Sequence, residues 1–192
     1  MENGIGEDFE SIAQRIVCGY TGALPAIIPV IHQGIISKGK ILVAGVAGNG
    51  NETCKLWSEF SQLDNVNPLN NKVNDNGYEI RVYSEDGKCV CHVGVSVKDG
   101  NIPDVYKIYT LAPSKYAVFN IYPAQGYDSQ NKTMDEWLKS NVGKYKQRNM
   151  EGKAFSVLVY DDRYKGEKDP SSVVEIWIPI EDVAKQLEES VR

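Results

Sequence analysis

Positively charged residues are fewer than negatively charged ones along this chain. Its 192 residues carry 21 Lys and Arg against 26 Asp and Glu, which gives a formal net charge of −5. No run of Lys and Arg creates the positive field that binding to a phosphate backbone requires. Direct nucleic-acid binding by this chain is therefore not expected. The length predicts one domain, or two closely fused halves, that buries a core without metal or disulfide staples.

Histidine is also scarce, and of the four cysteines only two are close in sequence, which disfavours most metal and nucleophilic chemistry. The two histidines are His32 and His92, and neither has zinc-finger spacing from the C-x-C pair Cys89 and Cys91. No Ser-His-Asp or Cys-His arrangement is apparent. We therefore expect no metal, no cofactor and no catalytic nucleophile. The thiols are expected to be reduced, as in a cytoplasmic protein.

Charged residues are missing altogether from residues 17–37, a length close to that of a membrane span. Pro25 and Pro29 break this stretch into shorter pieces, and its N-terminal flank is acidic rather than basic. A membrane or signal segment is thus the less favoured alternative. We predict an N-terminal apolar arm over residues 1–34 that packs on this domain, on a second copy of the chain as a homodimer, or on a partner protein.

Aromatic residues, in contrast, are plentiful: the chain has eleven Tyr and three Trp. Many lie in stretches that alternate like strands, close to two helical patterns that each carry a Trp. Aromatic rings give a large rigid contact area and a face that attracts cations, so they suit a cavity for flat or cationic organic ligands. The alternative is that they are ordinary core and strand aromatics.

Two features suggest an internal repeat. Asn51-Glu52-Thr53 with Trp57 recurs as Asn131-Lys132-Thr133 with Trp137, and each motif lies in a predicted helix. After each helix comes a strand that ends in Val-Tyr, at Tyr83 and at Tyr160. Between the halves, the alternating runs 105–111 and 115–122 flank Pro113 and predict a central hairpin. Two αβ halves related by pseudo-symmetry are expected, each giving a Trp and a Tyr to a shared groove.

One acidic residue stands out in the last strand. Glu175 lies within an otherwise apolar run, Val174 to Ile180, so it is either on the solvent face or held in a pocket. Alternation puts it on the same face as Trp177. If that face lines the groove, Glu175 is the charge that attracts a cationic ligand.

These motifs, taken in order, resemble the gyrase-inhibitor-like small-molecule-binding domain, which is also the effector-binding domain of AraC-type and multidrug-responsive transcription regulators. The resemblance spans residues 35–180 and rests on Gly45, Trp57 and Phe60, on the run from Pro113 to Phe119 that includes Tyr116, on Trp137-Leu138, on Val159-Tyr160 and on the closing segment from Glu175 to Ile180. The domain boundaries that follow are residues 1–34 for the arm and 35–192 for the effector-binding domain.

The resemblance implies an α+β fold of duplicated β-α-β-β halves, which form a curved antiparallel sheet with a central ligand groove. It implies a stand-alone sensor or scavenger that binds bulky, cationic or planar molecules without turnover. The alternative it carries is a hydrolase of reactive cyclopropane-containing or drug-like compounds that uses a pocket Glu and a Tyr. The predicted ligand-binding residues are Trp57, Tyr83, Tyr116, Trp137, Tyr160, Glu175 and Trp177.

The chain differs from the family pattern at one place in this groove. Similar proteins often have an acidic residue two positions before the tyrosine that corresponds to Tyr160, and this chain has Leu158 there. The arm is also too short for the helix-turn-helix pair of a fused regulator. The groove is therefore expected to take its negative charge from Glu175 or from another acid.

Overall fold

The computed structural model describes residues 31–98 and 100–183, which form one curved sheet with two α-helices on the same face. The first half contains β1 (Ile31–Lys38), β2 (Ile41–Asn49), α1 (Thr53–Val66), β3 (Lys72–Tyr83), β4 (Cys89–Val97) and β5 (Lys107–Leu111). The second half contains β6 (Ser114–Ile121), α2 (Asp128–Ser140), β7 (Tyr145–Gln147), β8 (Ala154–Tyr160) and β9 (Val174–Asp182). The predicted arm lies outside the described residues, apart from its last four positions, which begin β1.

The strand order confirms the duplicated α+β fold. The sheet runs β1-β6-β9-β8-β3-β4-β2-β5, and β7 pairs with the far end of β9. All pairings are antiparallel. The two halves meet at the β3–β8 pair, where Ile80 lies opposite Val157. Along the chain, α1 comes after β2 and before β3, and α2 comes after β6 and before β8. The inner strands β3 and β8 are neighbours in the sheet, and β2 and β6 lie at matching places further out.

Because side chains alternate along each strand, the two faces of the sheet have separate hydrophobic cores. On the helix face, Leu56 and Phe60 of α1 pack on β2 and β4, while Met134 of α2 packs on β6, β8 and β9. On the opposite face, side chains from β2 and β6, near the two ends of the sheet, join a single cluster. The sheet is thus curved strongly enough to bring its ends together away from the helices.

The central hairpin prediction was wrong. β5 pairs with β2 and β6 pairs with β1 and β9, so the two runs around Pro113 lie at opposite ends of the strand order. The reason is the curvature: Leu111 and Tyr116 reach the same core from the two ends of the sheet. The Asp-Gly turn between β3 and β4 does form a hairpin, with Gly87 at a φ of 78°.

Candidate functional site

A large cavity opens on the helix face, between α1 and α2 and above the junction of β3 and β8. Its volume is about 970 Å³. Its walls carry a set of aromatic side chains from both halves: Trp57, Tyr83, Tyr127, Tyr160 and Tyr164. Apolar side chains of β8 and β9, such as Leu158 and Ile176, complete the floor. A cavity of this size and aromatic content suits a drug-sized organic molecule.

A buried carboxylate lies at the floor of the cavity. In β3, Tyr78 and Ile80 point to the core on the face away from the helices. Because side chains alternate along a strand, Glu79 and Arg81 point toward the helices and the cavity. Glu79 is only 1% exposed. Its Oε2 accepts hydrogen bonds from the Tyr160 hydroxyl at 2.8 Å and, at a longer 3.4 Å, from the Trp57 ring nitrogen. Its burial is therefore compensated by donors from α1 and β8.

Arg81 provides the counter-charge. Its Nε donates to Glu79 Oε1 at 2.5 Å, and its Nη2 donates to Thr53 Oγ1 at 2.8 Å. Burial opposes the charge on Arg81, but the Glu79 carboxylate outweighs burial and raises the pKa of the guanidinium. The ion pair thus links the first turn of α1 to the centre of the sheet.

The tyrosines of the cavity are held in their neutral, donating form. Burial, followed by the nearby charge of Glu79, raises the pKa of Tyr160 far above its ordinary value. Burial and the charge of Glu167 raise the pKa of Tyr164 to about 12. These phenols therefore remain hydrogen-bond donors to carboxylates at any physiological pH.

Gly77 makes room for the Trp57 ring at the edge of the cavity. A Cβ atom at position 77 would lie 2.9 Å from Trp57 Cη2 and 3.5 Å from the Cβ of Tyr160, which is opposite Gly77 in the β3–β8 register. The first distance is too short for carbon atoms in contact. The glycine thus lets Trp57 lie over β3 beside Tyr160 without a shift of its ring, and there the two rings meet edge to face at 5.6 Å.

A second carboxylate lies at the mouth of the cavity. Glu167, in the connection between β8 and β9, accepts hydrogen bonds from the hydroxyls of Tyr127 and Tyr164, each at 3.1 Å. The Tyr164 ring also packs edge to face against Tyr160, with centroids 4.9 Å apart. The mouth and the floor are thus joined by a continuous wall of tyrosine rings.

Comparison with known proteins assigns the family. The family model described as "integron-associated effector binding protein" matches residues 35–180, about three quarters of the chain. The chain belongs to this effector-binding family. The matched range starts within β1 and ends within β9, so it contains both halves of the fold and the whole cavity.

Several solved structures share the fold of this effector-binding chain. SAV2435 bound to tetraphenylphosphonium is 17% identical, with a TM-score of 0.58 over 79% of this chain and 94% of its own. The EcmrR C-terminal domain is 14% identical, with a TM-score of 0.59 over 80% and 99%. A putative transcription regulation protein from Staphylococcus aureus MU50 is 18% identical, with a TM-score of 0.56 over 79% and 98%. No curated protein matched in sequence.

The structure of this effector-binding chain brings three of the seven predicted binding residues to the cavity: Trp57, Tyr83 and Tyr160. Trp137 lies outside the cavity lining, stacked on His32 at a centroid distance of 4.4 Å. Tyr116 and Trp177 belong to the core on the opposite face of the sheet, where their rings pack at 5.6 Å. Ligand contact by any of the seven remains a prediction.

Glu175 lies on the face away from the helices, which is a correction to its expected orientation. Ile176 and Ile178 pack under α2, so the period of two sends Glu175 and Trp177 to the other side. There Glu175 accepts from Arg163 Nη2 at 2.7 Å and from Trp177 Nε1 at 2.8 Å. The predicted proximity of Glu175 to Trp177 is present, but the carboxylate at the floor of the cavity is Glu79.

The repeated Asn-x-Thr-x-x-x-Trp spacing does not mark equivalent positions in the two helices. Thr53 is the first residue of α1, whereas Thr133 lies in the second turn of α2. Trp57 and Trp137 therefore have unrelated surroundings. The repeat of this effector-binding fold is in the strand order and in the position of the helices, and not in these two motifs.

Sequence reasoning missed Glu79, Arg81 and Glu167. Glu79 and Arg81 alternate with apolar residues in β3, a pattern typical of a strand with one solvent face, and so gave no sign of a buried ion pair. In the structure Glu79 lies directly opposite Leu158, the position where similar proteins often have an acid. The carboxylate comes from the neighbouring strand instead.

Proposed function

We propose that this protein binds a bulky organic cation with planar rings, reversibly and without turnover, in the cavity between α1 and α2. The observation that carries the proposal is the cavity itself, whose aromatic walls enclose about 970 Å³. The faces of Trp and Tyr rings attract organic cations, and the charged lining residues are Glu79, Arg81, Asp135 and Glu167, which sum to a negative charge. A multi-ring cation fits this combination better than an anion or a sugar does.

The relatives support this choice. SAV2435, which shares the fold, was solved with tetraphenylphosphonium, a cation surrounded by four phenyl rings. The name of the matching family also refers to effector binding. We propose that this chain acts as a sensor or scavenger of such ligands, because both halves of its fold contribute side chains to one cavity of ligand size.

Hydrolysis of a reactive, strained-ring compound is the second candidate, and one observation favours it: the Tyr160 hydroxyl lies 2.8 Å from the buried Glu79 carboxylate. A catalytic carboxylate needs an unoccupied oxygen to accept a proton from water. Glu79 already accepts from Tyr160, Trp57 and Arg81, which fills three of its four acceptor positions. Only one acceptor position is left for a water molecule, so binding without turnover is the better-supported function.

The proposed function is tested by filling the cavity. Cys54 is exposed on α1 and lines the cavity, whereas Ser58, one turn further along the same helix, is exposed and does not. Cys54→Trp should weaken tetraphenylphosphonium binding, measured by calorimetry, at least about tenfold, because the indole occupies the ligand's volume. Ser58→Trp is the matched control and should bind like the parent. Equal binding by the parent and Cys54→Trp, or no binding by the parent, would contradict the proposal.

A further inference from the structure

The charge at the floor of the cavity is neutralised within the protein. Glu79 is paired with Arg81 at 2.5 Å, and the pair carries no net charge. The two neutral donors, Tyr160 and Trp57, occupy the other carboxylate oxygen. A ligand that reaches the floor therefore meets aromatic surface and a satisfied ion pair. Little electrostatic attraction for a cation remains at that depth, because a cation attracted by Glu79 is repelled by Arg81.

The carboxylate at the mouth is in a different state. Among residues 31–98 and 100–183, Glu167 forms no ion pair with Lys, Arg or His, and its hydrogen-bond donors are the neutral hydroxyls of Tyr127 and Tyr164. Within the described part of the chain its negative charge is thus not paired with a positive one, while its position is fixed from two sides. The connection that carries it is itself held: Ser172 Oγ accepts from the Lys165 amide at 2.9 Å.

We propose that Glu167, and not Glu79, is the residue that selects a cationic ligand. This inference rests on the proposed function and specifies it: the ligand is an amphipathic cation whose charge lies near one end. Its charged end sits at the mouth, against Glu167 and the faces of Tyr127 and Tyr164, and its apolar rings extend inward to Trp57 and Tyr160. Tyr127 and Tyr164 are positioning residues, because they hold the carboxylate over the opening.

A matched pair of probes separates charge from shape. Methyltriphenylphosphonium carries its charge at one end of three phenyl rings, and triphenylphosphine oxide has the same rings without net charge. Glu167→Gln should weaken binding of the phosphonium about fivefold, the size expected for a partly solvated ion pair, and leave binding of the oxide unchanged. Glu136→Gln is the control: it removes the same charge from an exposed site on α2, where Glu136 pairs with Lys132 at 4.0 Å.

Two further variants test the alternatives. Glu79→Gln combined with Arg81→Met removes both charges from the floor, and should change the affinities for the phosphonium and for the oxide by the same factor, because any effect on the cavity's shape acts on both probes. Asp135→Asn removes the other carboxylate that lines the cavity without an ion-pair partner among the described residues, and should change phosphonium affinity less than twofold. A loss in either variant that affects the phosphonium but not the oxide, and that exceeds the loss in Glu167→Gln, overturns the proposal.

The outcomes also separate this inference from the proposed function. If the parent binds both probes and Glu167→Gln binds the phosphonium as tightly as the parent does, the inference fails while the proposed function stands. If Glu167→Gln loses affinity for both probes equally, the residue acts through shape, and the inference also fails. A parent that binds neither probe overturns the proposed function, and this inference with it.

Discussion

Replacing Arg81 by Met tests whether the ion pair at the floor of the cavity is a structural element. Methionine keeps an unbranched apolar stem of similar length but removes the guanidinium. Glu79 would then remain buried, at 1% exposure, with only Tyr160 and Trp57 as donors. Thr53 would lose the hydrogen bond that its hydroxyl accepts from Arg81. The variant therefore leaves an uncompensated charge in the interior.

The expected loss can be estimated from burial. Breaking a fully buried pair by removing one partner costs about 3–5 kcal/mol of unfolding free energy. The Arg81 side chain is 26% exposed, so water reaches the site partly, and the lower end, about 3 kcal/mol, applies. For a chain of this length that corresponds to a fall in Tm of about 6–12 °C. Adding Glu79→Gln should recover part of the loss, since the amide oxygen still accepts from Tyr160 without a charge to desolvate.

Urea unfolding, followed by Trp fluorescence, measures the free energies of the parent, both single variants and the double variant. Lys88→Met is the matched control, because Lys88 and Asp86 are also 2.5 Å apart but the Lys88 side chain is 82% exposed. That control should lose no more than about 0.5 kcal/mol. If Arg81→Met costs no more than Lys88→Met, the Glu79–Arg81 pair does not stabilise the fold and the reasoning is refuted.

Two other substitutions probe the sheet. Gly94→Ala should cost about 3 kcal/mol or more of unfolding free energy, measured in urea. The reason is that its Cβ would lie 2.1 Å from the carbonyl oxygen of Ala44 on the neighbouring strand. Gly143→Ala is the control, because a Cβ at that position meets nothing within 4 Å. For His92, burial lowers the pKa to about 4, so the unfolded chain, with an ordinary pKa near 6.5, binds a proton first and stability falls as pH drops. Between pH 7 and pH 5 this loss should be about 2 kcal/mol. His92→Gln should show a correspondingly flatter dependence of Tm on pH, and an unchanged slope would contradict the assignment.

The fold was predictable from the sequence to a large extent, because period-two alternation and the Asp-Gly turn are local signals. The partners of β5 and β6 were not predictable from such signals. A short turn around Pro113 favours a hairpin in any flat sheet, and only the curvature of the complete sheet brings its two ends close enough for the chain to pass from one to the other. That curvature is a property of all the strands together.

The type of site could be predicted from the sequence, but the identity of its charged residues could not. An aromatic cavity with a carboxylate was expected, and Trp57, Tyr83 and Tyr160 do line one. Glu175 was chosen because the rest of its strand is apolar. Alternation alone does not tell which of the two faces of a strand packs under the helices, and in β9 that face carries Ile176 and Ile178. Nothing in the sequence marked Glu79, because an acid followed two positions later by Arg81 is typical of a strand with one solvent face. A buried ion pair and a solvent-facing pair of charges have the same sequence pattern.

The near-symmetric strand order has a consequence for the geometry of binding. Rotating one half onto the other about the centre of the Ile80–Val157 pair exchanges Glu79 with Ser156 and Arg81 with Leu158. The backbone of the groove is therefore approximately two-fold symmetric, but its chemistry is polar on one side and apolar on the other. A ligand that lies across the floor therefore meets Glu79 and Arg81 on the β3 side and Ser156 and Leu158 on the β8 side. Two orientations of an elongated ligand that differ by a half-turn across the floor should therefore differ in energy, although the backbone beneath them is nearly the same.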